Sequence, residues 1–417
     1  MTGRAPGRAA GRVRTVFFGS GAFAVPSLDA LAGDPRVQLV GIVTAPDHPA
    51  GRGRTMLPTP VTLRARTMWL PLFQPLRVGE PEVVDELAAL KPDLGVLADY
   101  GQIIPGSLLE LPRLGILNLH PSLLPRHRGA TPIPAAIAAG DQRVGVTIIR
   151  MDEGLDTGPI VATTEWPATG RETAPQLEAF AAREAARLLG RTLAGWVAGE
   201  IRGQPQSSEG VTMTRRLRRG DARLDPTRSA MELERHVRAY LPWPGSMLET
   251  PAGRLVVHKA SVAPAEPGDV PGSLVAQGDG FALTTGDGRL VLDEVQLAGR
   301  RPLGGPEFLR GQRELLGARI GSAAPGSRAA AAAEPHSCAT YGAVNPVTPI
   351  RRFNFVRSSS ISTHPAIPAD AVNPAAPHIG GRPRAGGSGI ANRYPSIVVS
   401  ATRTIANRSG VFVSRSA

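Results

Sequence analysis

The sequence predicts an α/β fold in two parts, a doubly wound, parallel sheet followed by a smaller β-barrel, with a disordered tail behind them. Three observations predict it. Up to residue 204, apolar β-branched runs of strand length alternate with amphipathic helical stretches, the pattern that places parallel strands in one sheet with helices on its faces. Beyond residue 221 the apolar runs shorten and are divided by Gly and Asp turns, as in a small barrel. Across residues 321–417 no period survives in a stretch dominated by Ala, Pro, Ser, Arg and Gly, so disorder is expected there. A chain of 417 residues suits two domains, and a hydrophobic fraction of 42% can fill two cores.

Taken in order, residues 1–13 form a short extension without strand or helix period. From Val13, "VRTVFF" reads as a buried strand and "FAVPSLDALAG" as the helix behind it. "VQLVGIVTA" is the second strand. It runs into Pro46–Pro60, a loop with two Gly, four Pro and two Arg and too few apolar residues to pack itself. A helix around Val61–Met68, the amphipathic "EPEVVDELAAL", and the strands "DLGVLADY", "GILNLH" and "VGVTIIRM" complete the sheet. A long amphipathic helix from Arg171 closes the first domain, set at 14–204. The linker, 205–220, turns sharply basic at Arg215, Arg216, Arg218 and Arg219. The second domain, 221–320, opens on the helix "RSAMELERHVRAYLP" and continues in short strands.

The formal charge is +12, carried almost wholly by Arg, since Lys occurs only at Lys91 and Lys259. The tail alone holds ten Arg against Glu334 and Asp370, so the body is only modestly basic and the clusters carry the information. A polyanionic partner fits that sign. The single cysteine, Cys338, excludes an intramolecular disulfide and a Cys-based metal site. No apolar run approaches membrane-span length and no signal-peptide core is visible, so a cytoplasmic protein, bacterial or organellar, with no membrane partner is expected.

Two motifs bear on chemistry. "GSGAFA" (Gly19, Gly21, Ala24) fits a dinucleotide fingerprint, but the acid that should hold a ribose would have to be Asp47, late and inside the Pro/Gly loop. A tight strand-to-helix turn is the better reading. Asn118 and His120 alternate with Leu117 and Leu119 at the end of a strand, so both polar side chains share one face. A lone strand-end His is most often a hydrogen-bonded core residue. This one has company: the loop "SLLPRHRG" follows it, and Asp156 stands in a Gly-flanked turn. An amide, an imidazole and a carboxylate together suit oxyanion stabilisation with proton transfer. No Ser or Cys nucleophile elbow and no second His at metal-ligand spacing accompanies them, which favours chemistry without a covalent intermediate or a metal.

"NLHPSLLPRHRGATPI" followed by "GVTIIRMDEGLDTGPI" resembles the tetrahydrofolate-dependent formyltransferases. "HPAGRGRTMLPTP" and the C-terminal "LERHVRAYLPWPGS", "VVHKAS" and "PGSLV" are similar to the branch that acts on tRNA, and the likeness runs over residues 14–320. The resemblance implies a Rossmann-like catalytic domain with an OB-like barrel. Its co-substrate would be 10-formyltetrahydrofolate, its acceptor the amino group of initiator methionyl-tRNA, and no metal would be required. By the same resemblance, Asn118 and a protonated His120 hold the oxyanion, while Asp156 orients His120 and manages the amine proton. Ser122, Leu123, Leu124 and Pro125 match the folate-contacting loop, and Tyr100, Gly101, Gln102, Ile103, Ile104 and Pro105 wall the same pocket. Arg52 and Arg54 sit in the insertion that reaches the tRNA acceptor end, and Arg215, Arg216, Arg218 and Arg219 stand where the linker meets phosphates. A monomer is expected. Two stretches depart from the family: "GSGAFA" where many relatives carry Thr-Pro, and "VTMTRRLRR" where they carry Tyr-Ala and a Lys. The alternatives are a formyltransferase for an amino sugar nucleotide or another small amine, and a non-catalytic RNA-binding protein.

Overall fold

The computed structural model describes residues 11–50 and 55–321, so Arg52, Arg54, most of the N-terminal extension and the expected disordered tail lie outside the described residues. The chain opens with β1 (Val13–Gly19), apolar and almost wholly buried, as a central parallel strand covered on both faces must be. Next come α1 (Val25–Gly33), β2 (Val37–Val43), the short strands β3 (His48–Ala50) and β4 (Thr55–Leu57), and α2 (Pro60–Arg66), followed by β5 (Leu72–Phe73) and α3 (Pro81–Ala89). The segment read as a structureless loop thus contains an antiparallel pairing of β3 with β4. Backbone hydrogen bonds supply there what the apolar content could not.

The site-bearing part follows: β6 (Leu94–Ala98), α4 (Gly106–Leu109), β7 (Ile116–His120), β8 (Arg128–Gly129), α5 (Pro132–Ala139), β9 (Arg143–Arg150), β10 (Ile160–Pro167) and α6 (Ala174–Ala198). α6 begins at a Thr173/Gln176 capping box and ends on Gly199 at a φ of 74°, a left-handed cap that glycine adopts at no steric cost. The main sheet runs β10-β9-β7-β6-β1-β2-β5. It is parallel from β7 through β5, and β9 and β10 close it as an antiparallel pair. "VGVTIIRM" is therefore a strand as expected, but it runs against β7. β10 was not foreseen; its alternating exposure marks an edge strand with one solvated face. Apolar clusters cover both faces of the sheet, one under α1, α5 and α6 and the other under α3 and α4.

The segment after α6 is not a free linker. Its strand β11 (Met213–Thr214) pairs in parallel with β8. The C-terminal part comprises α7 (Ala230–Ala239), β12 (Met247–Thr250), β13 (Gly253–Ala263), β14 (Leu274–Gln277), β15 (Gly280–Thr284), β16 (Arg289–Leu297), β17 (Leu303–Gly304) and α8 (Gly305–Arg310). Ser229 and Glu232 cap α7 reciprocally, and Leu233 and Val237 enter the second core. The strands form one antiparallel sheet in the order β12-β13-β16-β15-β14, with β17 against β16. Register shifts in β13 between Val257 and Ala260 bend it. Among the described residues no ladder joins β12 to β14, so the expected barrel is a curled sheet with an open seam.

Candidate active site

β7 is buried along its length, and its side chains alternate. Leu117 and Leu119 enter the core beneath α5 and α6, leaving Asn118 and His120 together on the other face. The carboxylate that meets them comes from the β9–β10 loop, where Asp156 takes a left-handed backbone at φ 53°. Its Oδ1 accepts from Asn118 Nδ2 at 3.1 Å and its Oδ2 from the Gly129 backbone N–H at 2.7 Å. The His120 Nδ1 lies 3.6 Å from the same Oδ2, just beyond hydrogen-bond length. The three residues singled out in the sequence are thus within reach of one another, although Asp156 arrives from a loop folded over the sheet rather than from a strand end.

The other ring nitrogen fixes the tautomer. His120 Nε2 is 2.9 Å from the His127 carbonyl oxygen, which can only accept, so Nε2 carries a hydrogen. In the neutral ring the lone pair is then on Nδ1, facing Asp156. Burial lowers the His120 pKa, while the Asp156 carboxylate and the His127 carbonyl act against that shift. The resting imidazole is therefore held towards neutrality, whereas the sequence reading pictured it protonated. Such a ring is ready to take a proton at Nδ1 beside a fixed negative charge. Asn118 commits one amide hydrogen to Asp156 and keeps its second available.

The loop after β7 is tightly pinned. Ser122 Oγ donates to the Arg126 carbonyl at 2.7 Å, Thr147 Oγ1 donates to the Ser122 carbonyl at 2.7 Å, and the Leu124 N–H donates to Thr147 Oγ1 at 3.2 Å. The Leu124–Pro125 peptide is cis. Leu124 is buried, and Leu123 packs so closely on Gly145 that a Cβ there would collide with it. The 100–105 turn is split. Tyr100 and Ile104 sink into the core beneath α3 and α4, with Tyr100 edge-on to Phe18 and its phenol pKa raised by burial. Gln102 ties the chain at Pro75 and Val78, and Ile103 stands 91% exposed. Only Gly101 joins the turn to the linker, by accepting from Arg216 Nη2 at 2.5 Å.

The four linker arginines divide. Arg215 is held by Asp221 through two hydrogen bonds of 2.7 and 2.8 Å, and Arg216 by Gly101. Arg218 and Arg219 are exposed, and although the Arg218 backbone N–H donates to Asp221, neither guanidinium forms an ion pair among the described residues. The glycine motif is a packing device, as expected. A Cβ at Gly21 would run into the Asp99 carboxylate, so close packing accounts for the glycine there. Asp47 is tied to Gln74 and Arg66. Sequence reasoning missed three residues that touch the site: His127, Gln206 and Thr212. Only their position beside the motifs could have suggested them.

Two family models match the chain: Formyl transferase over residues 13–193, and Formyl transferase, C-terminal domain, over residues 216–313. The methionyl-tRNA formyltransferase of Roseiflexus sp. strain RS-1 is 43% identical over 314 residues, covering 75% of this chain and 96% of the relative. That of Chloroflexus aggregans is 43% identical over 303 residues, covering 72% and 97%. Among solved structures, the N-formyltransferase from Helicobacter canadensis with folinic acid and dTDP-3-aminofucose aligns with a TM-score of 0.51 at 15% identity, covering 67% of this chain and 98% of that one. WlaRD, a sugar 3N-formyl transferase, aligns with a TM-score of 0.51 at 16% identity, covering 69% and 99%. At that identity the structural likeness speaks for the fold.

Proposed function

The chain belongs to the formyl transferase family, and on that premise we propose that it moves a formyl group from 10-formyltetrahydrofolate to the amino group of initiator methionyl-tRNA. The observation that carries this reading is identity of 43% along 96% of a methionyl-tRNA formyltransferase, spanning both matched domains. We assign catalysis to residues 14–204, tRNA contact to the linker 205–220, and a second tRNA-binding domain to 221–320. The folate co-substrate supplies an electrophilic formyl carbon. Asn118 directs its second amide hydrogen at the formyl oxygen as negative charge develops there. His120 accepts the proton of the attacking amine at Nδ1, Asp156 stabilises the resulting imidazolium across 3.6 Å, and the proton passes to N10 of the folate as the bond from N10 to the formyl carbon breaks and tetrahydrofolate leaves. The backbone of Ser122–Pro125 and the turn around Gly101 and Ile103 are assigned to the folate. Arg52, Arg54, Arg218 and Arg219 are assigned to tRNA phosphates, with Arg215 and Arg216 holding the linker in place.

The test offers purified protein 10-formyltetrahydrofolate with charged initiator tRNA or with a dTDP-linked amino sugar. Formylation of the tRNA alone is expected. Transfer to the sugar without transfer to tRNA would overturn the reading. Replacing Arg218 and Arg219 with Gln should flatten the salt dependence of tRNA binding by about 0.7–0.9 log units per lost phosphate contact.

A further inference from the structure

The linker touches the active centre at two places, and each is a backbone that L-residues rarely adopt. Among the described residues only five non-glycine positions have positive φ, and two of them are Asp156 at 53° and His127 at 57°. Asp156 carries the carboxylate of the site, and His127 carries the carbonyl that fixes the His120 tautomer. Gln206 Nε2 donates to the Asp156 carbonyl at 2.7 Å and to the Gly158 carbonyl at 2.8 Å, holding that turn from both sides. Arg128 in turn fixes the Gln206 amide oxygen. Thr212 Oγ1 accepts the His127 backbone N–H at 2.7 Å, while the Thr212 carbonyl accepts from Arg128 and its N–H donates to Pro125. The two strained turns, which come from different loops, are therefore held by one short stretch of linker.

We propose that Gln206 and Thr212 are positioning residues, through which the linker sets the His120–Asp156 geometry on which formyl transfer depends. The proposal rests on the catalytic roles assigned above to that pair. Asp156, from the β9–β10 loop, and His127, from the loop before β8, are the titratable groups facing the His120 ring. His127 is bonded to Asp141, which also holds Arg126. Letting either turn relax removes a contact that favours the protonated ring, either the Asp156 charge or the His127 carbonyl.

The test measures the His120 imidazole titration by NMR in the full chain, beside the pH profile of kcat/KM. Gln206→Leu and Thr212→Val should each move the His120 titration to lower pH and lower kcat by about tenfold or more, with KM for the folate little changed. Thr212→Ser, which keeps the acceptor, should restore both. The two variants act on separate turns, so failure of one to fold leaves the other decisive. An unmoved titration in a folded variant would overturn the proposal. Because the imidazole is read without substrate, that result stands apart from failure of tRNA formylation in the unaltered protein, which would instead defeat the functional reading.

Discussion

His120 in the first half of the molecule and His236 in the second are both buried, and the two differ in a way that burial does not reveal. His120 is 5% exposed and His236, on α7, is 7% exposed. In both, loss of water is the leading cause of a lowered pKa, to about 4 for His236. His236 nevertheless has both ring nitrogens occupied. Its Nε2 lies 2.9 Å from the Asp221 carbonyl and its Nδ1 2.9 Å from Ser246 Oγ. His120 has a carbonyl at Nε2 and, at Nδ1, a carboxylate too far for a hydrogen bond. A buried imidazole with every valence met is architecture. One with a lone pair facing a held charge is available to a substrate, and that uncommitted nitrogen separates the two.

Exchanging the two side chains for alanine should split the readouts. His120→Ala is expected to lower turnover by about a hundredfold to ten-thousandfold, the usual worth of a positioned acid–base group, with the smaller fall in melting temperature of the two, since only the His127 carbonyl loses its partner. His236→Ala should do the reverse. It strands Ser246 Oγ and the Asp221 carbonyl in the interior at about 1–3 kcal/mol each, while activity per folded molecule is kept. A His236→Ala protein that melts normally but no longer turns over would break the comparison.

The acid limb of stability gives a smaller effect. His236 titrates at about 4 in the folded chain against 6.5 for an ordinary solvated imidazole, so the unfolded chain binds the proton first. The stability that neutral His236 provides is complete above pH 6.5 and is lost as the pH falls from there towards 4. One pKa unit is about 1.4 kcal/mol, so the loss approaches ~3 kcal/mol. Denaturant titrations at neutral pH and near the folded-state pKa should show this loss in the intact protein, and His236→Gln should reduce it.

How far the sequence reveals this contrast depends on the scale of the feature. Period-2 alternation in "GILNLH" is enough to put Asn118 and His120 on one face, because that placement follows from the strand alone. The direction of β9 cannot be read that way, since a buried strand has the same apolar pattern whichever way it runs. The two-residue strands β8 and β11 are too short to leave any period, so the linker's attachment to the first domain has no signature in "GQPQSSEGVTMT". The pairing of Thr212 with His127 spans 85 residues and depends on where two loops meet. His236 reads only as one position of an amphipathic helix, because its partners Asp221 and Ser246 lie in the turns flanking α7.

The finest distinction concerns what stands at each Nδ1, and it yields a shift at one histidine and not at the other. At His236 the carbonyl partner keeps the hydrogen on Nε2, so Ser246 must donate its hydroxyl hydrogen to the Nδ1 lone pair. In the protonated ring the hydroxyl turns to accept from Nδ1–H instead, so Ser246 serves either state. Ser246→Ala should therefore cost about 1 kcal/mol at neutral pH and leave the His236 titration, which burial sets at about 4, little moved. At His120 the neighbour is a charge that favours the protonated ring, so Asp156→Asn should move its titration further down. Imidazole NMR titrations of the two variants read both outcomes directly. If His120 in Asp156→Asn stayed as still as His236 in Ser246→Ala, the neighbour at Nδ1 would not be what separates them, and His120 would be a structural histidine like its counterpart.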